Sequence, residues 1–221
     1  TLPDDLLAHL IKTVKERHSE IDWGTVGDVV IGCAMPEGEQ GMNVARIAAL
    51  LGGLPDSVPA MTVNRFCSSG VQTIATAASS IREGMMDLAL AGGVESMSKV
   101  PLGGNKYTAN PAIFEDENVA IAYGMGITAE IVAKKWDISR EQQDKFAAES
   151  HRRAIEAQKK GYFSEEIIPY TVRQRRPDLN KQEVIYKDLT VKDDEGPRAD
   201  TSFEKISSLR SVFAARGTVT A

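Results

Sequence analysis

At 221 residues, with 42% apolar and 26% charged side chains, the chain has the balance of a globular protein, long enough for one large domain or two small ones. Its 26 basic and 31 acidic residues leave a net charge of −5, which argues against nucleic acid as a partner, a local basic patch aside. Two cysteines make no disulfide framework and show no metal-ligand spacing, no apolar run reaches the ~20 residues of a membrane span, and no signal peptide opens the chain, so a soluble, cytoplasmic protein is expected.

Asp4 or Asp5 can cap a first helix in which Leu6, Leu7, Leu10, Ile11 and Val14 recur at helical spacing, predicting an element that covers a core. Residues 28–34 are apolar and β-branched, as in a strand buried on both faces, and Cys33 near the end reads as core rather than chemistry. A helix over 44–51 is closed by Gly52 and Gly53 in positive φ. Then come a strand at 61–63, a turn holding Cys67, a helix over 69–82 and a strand at 88–92. This alternation predicts an α/β fold with a parallel sheet. Gly92 and Gly93 do not open a dinucleotide-binding helix and are expected to lie near the cysteine turn.

From Lys99 the pattern breaks at Pro101, Gly103, Gly104, Asn105, Asn110 and Pro111, which places a boundary between a core domain, 1–98, and an inserted domain, 99–221. A helix is expected over 127–136. Ser139 with Gln142 makes a capping box for a long helix running to Lys160 and stopping at Gly161, its apolar face formed by Phe146, Ala147, Ser150, Ala154 and Ala157. Residues 167–173 and 183–187 read as a hairpin, and 187–194 as a solvated charged loop. Thr201 with Glu204 forms a second capping-box pattern before a short helix to Leu209.

Cys67 sits where a strand hands over to a helix. Unpaired N–H groups and the positive end of the helix dipole there favour a thiolate over a thiol. The helix is rich in small residues, with bulk only at Val71, Ile74 and Ile81; it can pack closely on other backbone and is expected to be buried. Free cysteines also serve as small buried hydrophobes, and local physics leaves both readings open.

VNRFCSSG followed by AGGVESMS resembles the thiolase family, and within it the degradative 3-ketoacyl-CoA thiolases. The resemblance implies a thiolase fold, its amino-terminal half plus an inserted CoA-binding loop domain. It makes Cys67 the residue that carries the acyl group, with its own N–H as part of an oxyanion hole. The implied reaction is cleavage of a 3-ketoacyl-CoA by CoA to acetyl-CoA and a shortened acyl-CoA, as in fatty-acid β-oxidation. CoA and acyl-CoA are then substrates, no metal or redox cofactor is needed, and a homodimer or homotetramer is expected, with a β-oxidation multienzyme partner open.

Other positions match the family in the same way. In DEGPRADTS, Arg198 takes the place of an arginine at the nucleotide end of CoA; its guanidinium can stack on adenine or pair with phosphate, and the alternative is a solvated side chain beside a charged loop. Leu209, Val212, Phe213 and Ala221 match the pantetheine tunnel, with core packing as their alternative. Met125, in YGMGITAE, matches a methionine near the reactive thioester. Gly124 stands where acetoacetyl-CoA thiolases commonly have a histidine, which favours longer acyl chains.

Thiolases also use a histidine and a second cysteine from a later domain. His9 and His18 lie on the covering helix, His151 has the context of a solvent face, and Cys33 does not match the second cysteine. A carboxy-terminal domain absent from this chain is therefore expected. A protein ending at Ala221 would hold half an active site and act as a CoA-binding piece without catalysis. The biosynthetic direction, joining two acetyl-CoA molecules, stays open and is separated by the chain-length dependence of activity.

Overall fold

The computed structural model describes residues 1–220, in two compact units. One holds Thr1–Tyr107 with Tyr170–Thr190; the other holds Thr108–Pro169 and the chain from Val191 onward.

In the first unit Asp28–Gly32 (β1), Ala60–Val63 (β2) and Ala89–Gly93 (β3) form a parallel sheet in the order β2-β1-β3. Val29 of the central strand stands opposite both Ala60 and Leu90. Val29, Val30 and Ile31 are all buried, and so the strand reads as an unbroken apolar run rather than an alternating one. It ends at Gly32, short of the expected Ala34, where the ladder gives way to bonds from the Ala34 and Met35 N–H groups to the Glu95 carboxylate.

Pro3–Arg17 (α1) and Val44–Leu51 (α2) supply Leu7, Ile11, Ala45, Ala48 and Ala49 to the cluster around Val29 and Ile31. The covering role expected of α1 holds, but its start does not. The helix begins at Pro3, which has no N–H to satisfy, and Asp5 reaches back from the first turn to accept the Leu2 N–H at 3.2 Å. At the end of α2 only Gly53 takes the left-handed conformation, at φ 76°, whereas Gly52 caps the helix at φ −72°.

Ser69–Arg82 (α3) has the expected bounds and is buried on one face only. Ser69, Thr73 and Ala77 are buried, while Val71, Ile74 and Ile81 are exposed, so the helix packs closely through its small residues as expected but is buried on that face alone. The approach to the sheet is too close for large side chains. A Cβ on Gly32 would lie 2.7 Å from the Ser69 Cβ, and the Thr73 hydroxyl donates to the Gly92 carbonyl at 3.1 Å. Tyr170–Asp178 (β4) and Glu183–Val191 (β5) make the expected hairpin with longer strands, and His9 of α1 meets the Tyr170 ring edge-on at 5.0 Å.

The second unit is built on Met125–Lys135 (α4), Arg140–Lys159 (α5) and Phe203–Ser207 (α6). The capping box of α5 is present: the Ser139 hydroxyl accepts the Gln142 N–H at 3.2 Å and the Gln142 side chain accepts the Ser139 N–H at 2.8 Å. The expected apolar face packs in part, with Ala147, Ala154 and Ala157 half-buried and Ser150 exposed. Phe146 is exposed, and the buried residue of α5 is Asp144, held by Arg140. Ser202 rather than Thr201 caps α6, its hydroxyl accepting the Lys205 N–H at 3.3 Å. Among the described residues, no helix is long and apolar enough to cross a membrane.

Candidate active site

β2 ends at Val63, and Phe66–Ser68 form a single 3-10 turn that leads directly into α3. Phe66 is in the left-handed region at φ 46°, a conformation that costs a non-glycine residue about 1–2 kcal/mol and is held by its surroundings. The Phe66 N–H donates to the Asn64 side chain at 2.8 Å. The buried Ser69 hydroxyl accepts the Arg65 N–H at 2.9 Å and donates to the Phe66 carbonyl at 2.6 Å. Three hydrogen bonds made by the Asn64 and Ser69 side chains thus over-determine the bend, and its product is an exposed Cys67 at the amino end of a fourteen-residue helix.

Cys67 opens into a cavity of about 440 Å³ with Gly32 and Ala34 from the end of β1, Gly93 and Glu95 from the end of β3, and Met97 and Leu102 beyond. Gly93 lies at the cysteine turn as expected. None of the three histidines of the sequence lines this cavity. His18 pairs with Glu20 at 3.3 Å, His9 meets Tyr170, and His151 belongs to the second unit.

The residue that sequence reasoning passed over is Glu95. Its carboxylate accepts the Ala34 N–H at 2.6 Å, the Met35 N–H at 3.3 Å and the Gln40 side-chain amide. Gln40 is fully buried and also accepts the Ser96 N–H at 2.9 Å and donates to the Met35 carbonyl at 2.9 Å. The ends of β1 and β3 are thereby locked into one rim beside Cys67. A carboxylate two residues beyond the paired glycines that end β3 was the available signal. Cys33 lies under this rim; burial first, and the Glu95 charge second, push its thiol up to about 11. It stays protonated at neutral pH, in keeping with a core role.

In the second unit Met125 opens α4 and is exposed, with extended Gly124 as its cap. Phe213 lies against Gly126, where an added Cβ would clash with its ring, so the structure brings the start of α4 and Phe213 together. Leu209, Val212 and Phe213 are 46%, 58% and 40% exposed, which removes core packing as their explanation within this chain. The Arg198 guanidinium is exposed and 3.7 Å from Asp200, and the Arg198 N–H donates to His151 Nδ1 at 3.1 Å. His151 is therefore half-buried against a loop and not on the solvent face expected of it. Ala221 lies outside the described residues.

Two more residues anchor the segment that carries these positions. Arg140, paired with Asp144 at 2.8 Å, donates to the Ile206 and Leu209 carbonyls at 2.8 and 3.0 Å. Glu130 of α4 accepts the Thr218 and Val219 N–H groups, both at 2.9 Å, and those bonds hold its carboxyl below the usual range.

A family profile described as "Thiolase, N-terminal domain" matches residues 1–221. The 3-ketoacyl-CoA thiolase of Bacillus subtilis is 46% identical over 99% of this chain and 55% of its own length. A beta-ketoadipyl-CoA thiolase of Pseudomonas aeruginosa is 41% identical over 99% of the chain and 56% of its own, and the peroxisomal 3-ketoacyl-CoA thiolase 5 of Arabidopsis thaliana is 41% identical over 100% and 48%. The chain thus spans about half the length of these curated relatives. With the match running from end to end over a parallel sheet that presents an exposed cysteine at a strand-to-helix turn, the chain belongs to the thiolase family.

Proposed function

We propose that this chain carries the nucleophile of a 3-ketoacyl-CoA thiolase working in the degradative direction. The observation that supports this reading is the exposed Cys67 on a strained turn at the amino end of α3, open to a cavity large enough for a thin acyl chain.

The Cys67 sulfur attacks the C3 ketone of the substrate, and the oxyanion that forms is held by N–H donors that include the N–H of Cys67 itself. The bond between the α and β carbons then breaks. Its electron pair leaves as the enolate of acetyl-CoA, which takes a proton from a general acid, and the acyl group stays on sulfur as a thioester. The thiol of a second CoA gives up its proton, attacks that thioester and releases a shortened acyl-CoA with the Cys67 thiolate restored. The base and acid for these steps come from groups other than those that line the Cys67 cavity here.

In the second unit we assign Arg198 to the nucleotide end of CoA, and Leu209, Val212, Phe213 and Met125 to the pantetheine and thioester. The exposure of these apolar side chains and of the Arg198 guanidinium supports the assignment. Ala221 keeps its family-matched place in the same wall as part of this proposal. Gly124 leaves open space at the start of α4, which fits acyl chains longer than acetoacetyl. The proposal extends to a cytoplasmic homodimer or homotetramer; the two free cysteines and the exposed Val71, Ile74 and Ile81 on α3 fit a reducing compartment and a partner surface.

Brief exposure of the protein to a 3-ketoacyl-CoA, followed by intact-mass and peptide analysis, tests the reading. An acyl adduct on Cys67, absent in Cys67→Ala, is the expected result. Turnover that proceeds normally in Cys67→Ala would overturn it.

A further inference from the structure

α5 carries a stripe of polar side chains at positions 140, 144, 151 and 158, spaced by four, seven and seven residues and so on one face of the helix. Each acts on the segment 194–209 or holds a residue that does. Arg140, braced by the 3%-exposed Asp144, donates to the Ile206 and Leu209 carbonyls. Gln158 donates to the Asp194 carbonyl at 2.8 Å. His151 accepts the Arg198 N–H at 3.1 Å.

The His151 contact differs in kind from the others. A main-chain N–H can only donate, so Nδ1 must carry a lone pair and the proton of the neutral ring must sit on Nε2. An imidazolium has donors on both nitrogens and cannot make this bond. The bond fixes the backbone of Arg198, and the guanidinium of that residue projects beside a notch of about 340 Å³ formed by His151, Arg152, Ile155, Lys159 and Ala199.

We propose that His151 is a positioning residue for CoA: its neutral ring holds the Arg198 main chain where the guanidinium meets the nucleotide end of the ligand, and protonation of the ring releases it. This rests on the assignment of Arg198 to CoA made above.

The charged groups around the ring are Arg152, Glu156 and Lys159 of α5, and Arg198 with Asp200 from the loop. Lys160 and Arg152 hold the Glu156 carboxyl below its usual value, and Lys205, with Arg198 behind it, does the same for Asp200. Both carboxylates keep their charge through mildly acidic pH. The imidazole is the group of this set whose side-chain type changes charge between about pH 5 and 8.

Calorimetric titration with CoA at about pH 8 and about pH 5.5, on the wild-type protein, His151→Asn, His151→Ala and Arg198→Ala, decides the matter. The Asn side-chain oxygen can take the place of Nδ1 as an acceptor and does not titrate. At the higher pH, His151→Asn is expected to bind CoA like wild type, and His151→Ala about 3- to 10-fold more weakly, the worth of one hydrogen bond. On acidification wild type is expected to lose several-fold in affinity relative to His151→Asn; titration of the CoA phosphate is common to both and cancels in the ratio.

A wild-type to Asn ratio that does not move with pH, or wild-type binding that tightens relative to Asn, overturns the proposal; the second result makes His151 a direct phosphate contact. If Arg198→Ala weakens CoA and His151→Ala does not, the positioning role falls and the Arg198 assignment stands. If Arg198→Ala binds CoA as wild type does, the assignment itself fails. Circular dichroism of His151→Ala guards against loss of fold, and should that variant not fold, the pH ratio between wild type and His151→Asn remains decisive.

Discussion

Glu95 accepts the Ala34 N–H at 2.6 Å, joining the carboxyl ends of two neighbouring parallel strands that are 61 residues apart in the chain. The bond closes one rim of the Cys67 cavity. Replacing Glu95 by Ala leaves the Ala34 and Met35 N–H groups and the buried Gln40 amide without their acceptor. Urea unfolding should show a loss of about 1–3 kcal/mol. Acyl-adduct formation at Cys67 should slow as well, because the rim that shapes its cavity loosens. Unchanged stability would mean that water replaces the carboxylate at no cost.

The two cysteines should differ sharply toward an alkylating reagent. At neutral pH Cys67, exposed on its turn, is expected to be labelled, and Cys33, buried with its thiol pushed up to about 11, is expected to be spared until the protein unfolds. The raised value also has a stability consequence. The unfolded chain gives up the Cys33 proton near the ordinary value of 9.0, whereas the folded chain holds it to about 11. Stability from this group is therefore whole below pH 9.0 and falls as pH climbs toward 11. Cys33→Ala should flatten that part of the pH–stability curve, whatever it does to packing. A wild-type curve with the same slope as the variant would refute this account.

Phe66 tests the strained turn. Phe66→Gly removes the Cβ that makes φ 46° costly and should keep both the turn and the reactivity of Cys67. Phe66→Val puts a β-branched side chain in the same conformation and should cost about 1–3 kcal/mol, with slower alkylation of Cys67. Equal behaviour of the two variants would show that the backbone conformation does not matter to the sulfur.

Glu130 clasps the Thr218 and Val219 N–H groups, and these bonds hold its carboxyl below 4.5. A carboxylate depressed in the folded state contributes above its unfolded value and loses that contribution as pH falls through the folded one. Protection of the Thr218 and Val219 amides against hydrogen exchange should therefore persist at neutral pH and decline in acid below 4.5. Glu130→Gln should lower that protection at every pH. Protection in the variant equal to wild type would place the hold on this segment elsewhere.

What the sequence made legible and what it hid divide along the range of the interactions. The unbroken apolar run of β1, the bounds of α2 and α3, the capping box at Ser139 and the place of Cys67 between strand and helix are all written in residues within about one helical turn of each other. The hidden features are long-range. Glu95 acts 61 residues away, on Ala34, and His151 acts 47 residues away, on Arg198. Spacing carries no record of such partners. The small residues of α3 did announce a close approach to other backbone, but not that one face would stay open: the approach selects for size, so Ser69 and Thr73 went in and Val71 and Ile74 stayed out. Asp144 was hidden as well, a buried carboxylate that any reading by polarity puts in solvent.

The hydrogen bonds from α5 to residues 194–209 fall on main-chain atoms, the carbonyls of Asp194, Ile206 and Leu209 and the N–H of Arg198, and the side chain that α5 also meets is Phe203, whose ring lies 5.9 Å from Lys145 Nζ. Main-chain atoms are the same whatever residue stands there. As far as those bonds are concerned, mutation can therefore rewrite the side chains of this segment one at a time, Phe203 aside, without moving the path of the chain. A protein so arranged separates where its ligand-facing loop lies from what that loop displays, and a lineage or an engineer can try new recognition surfaces on it without first rebuilding the support.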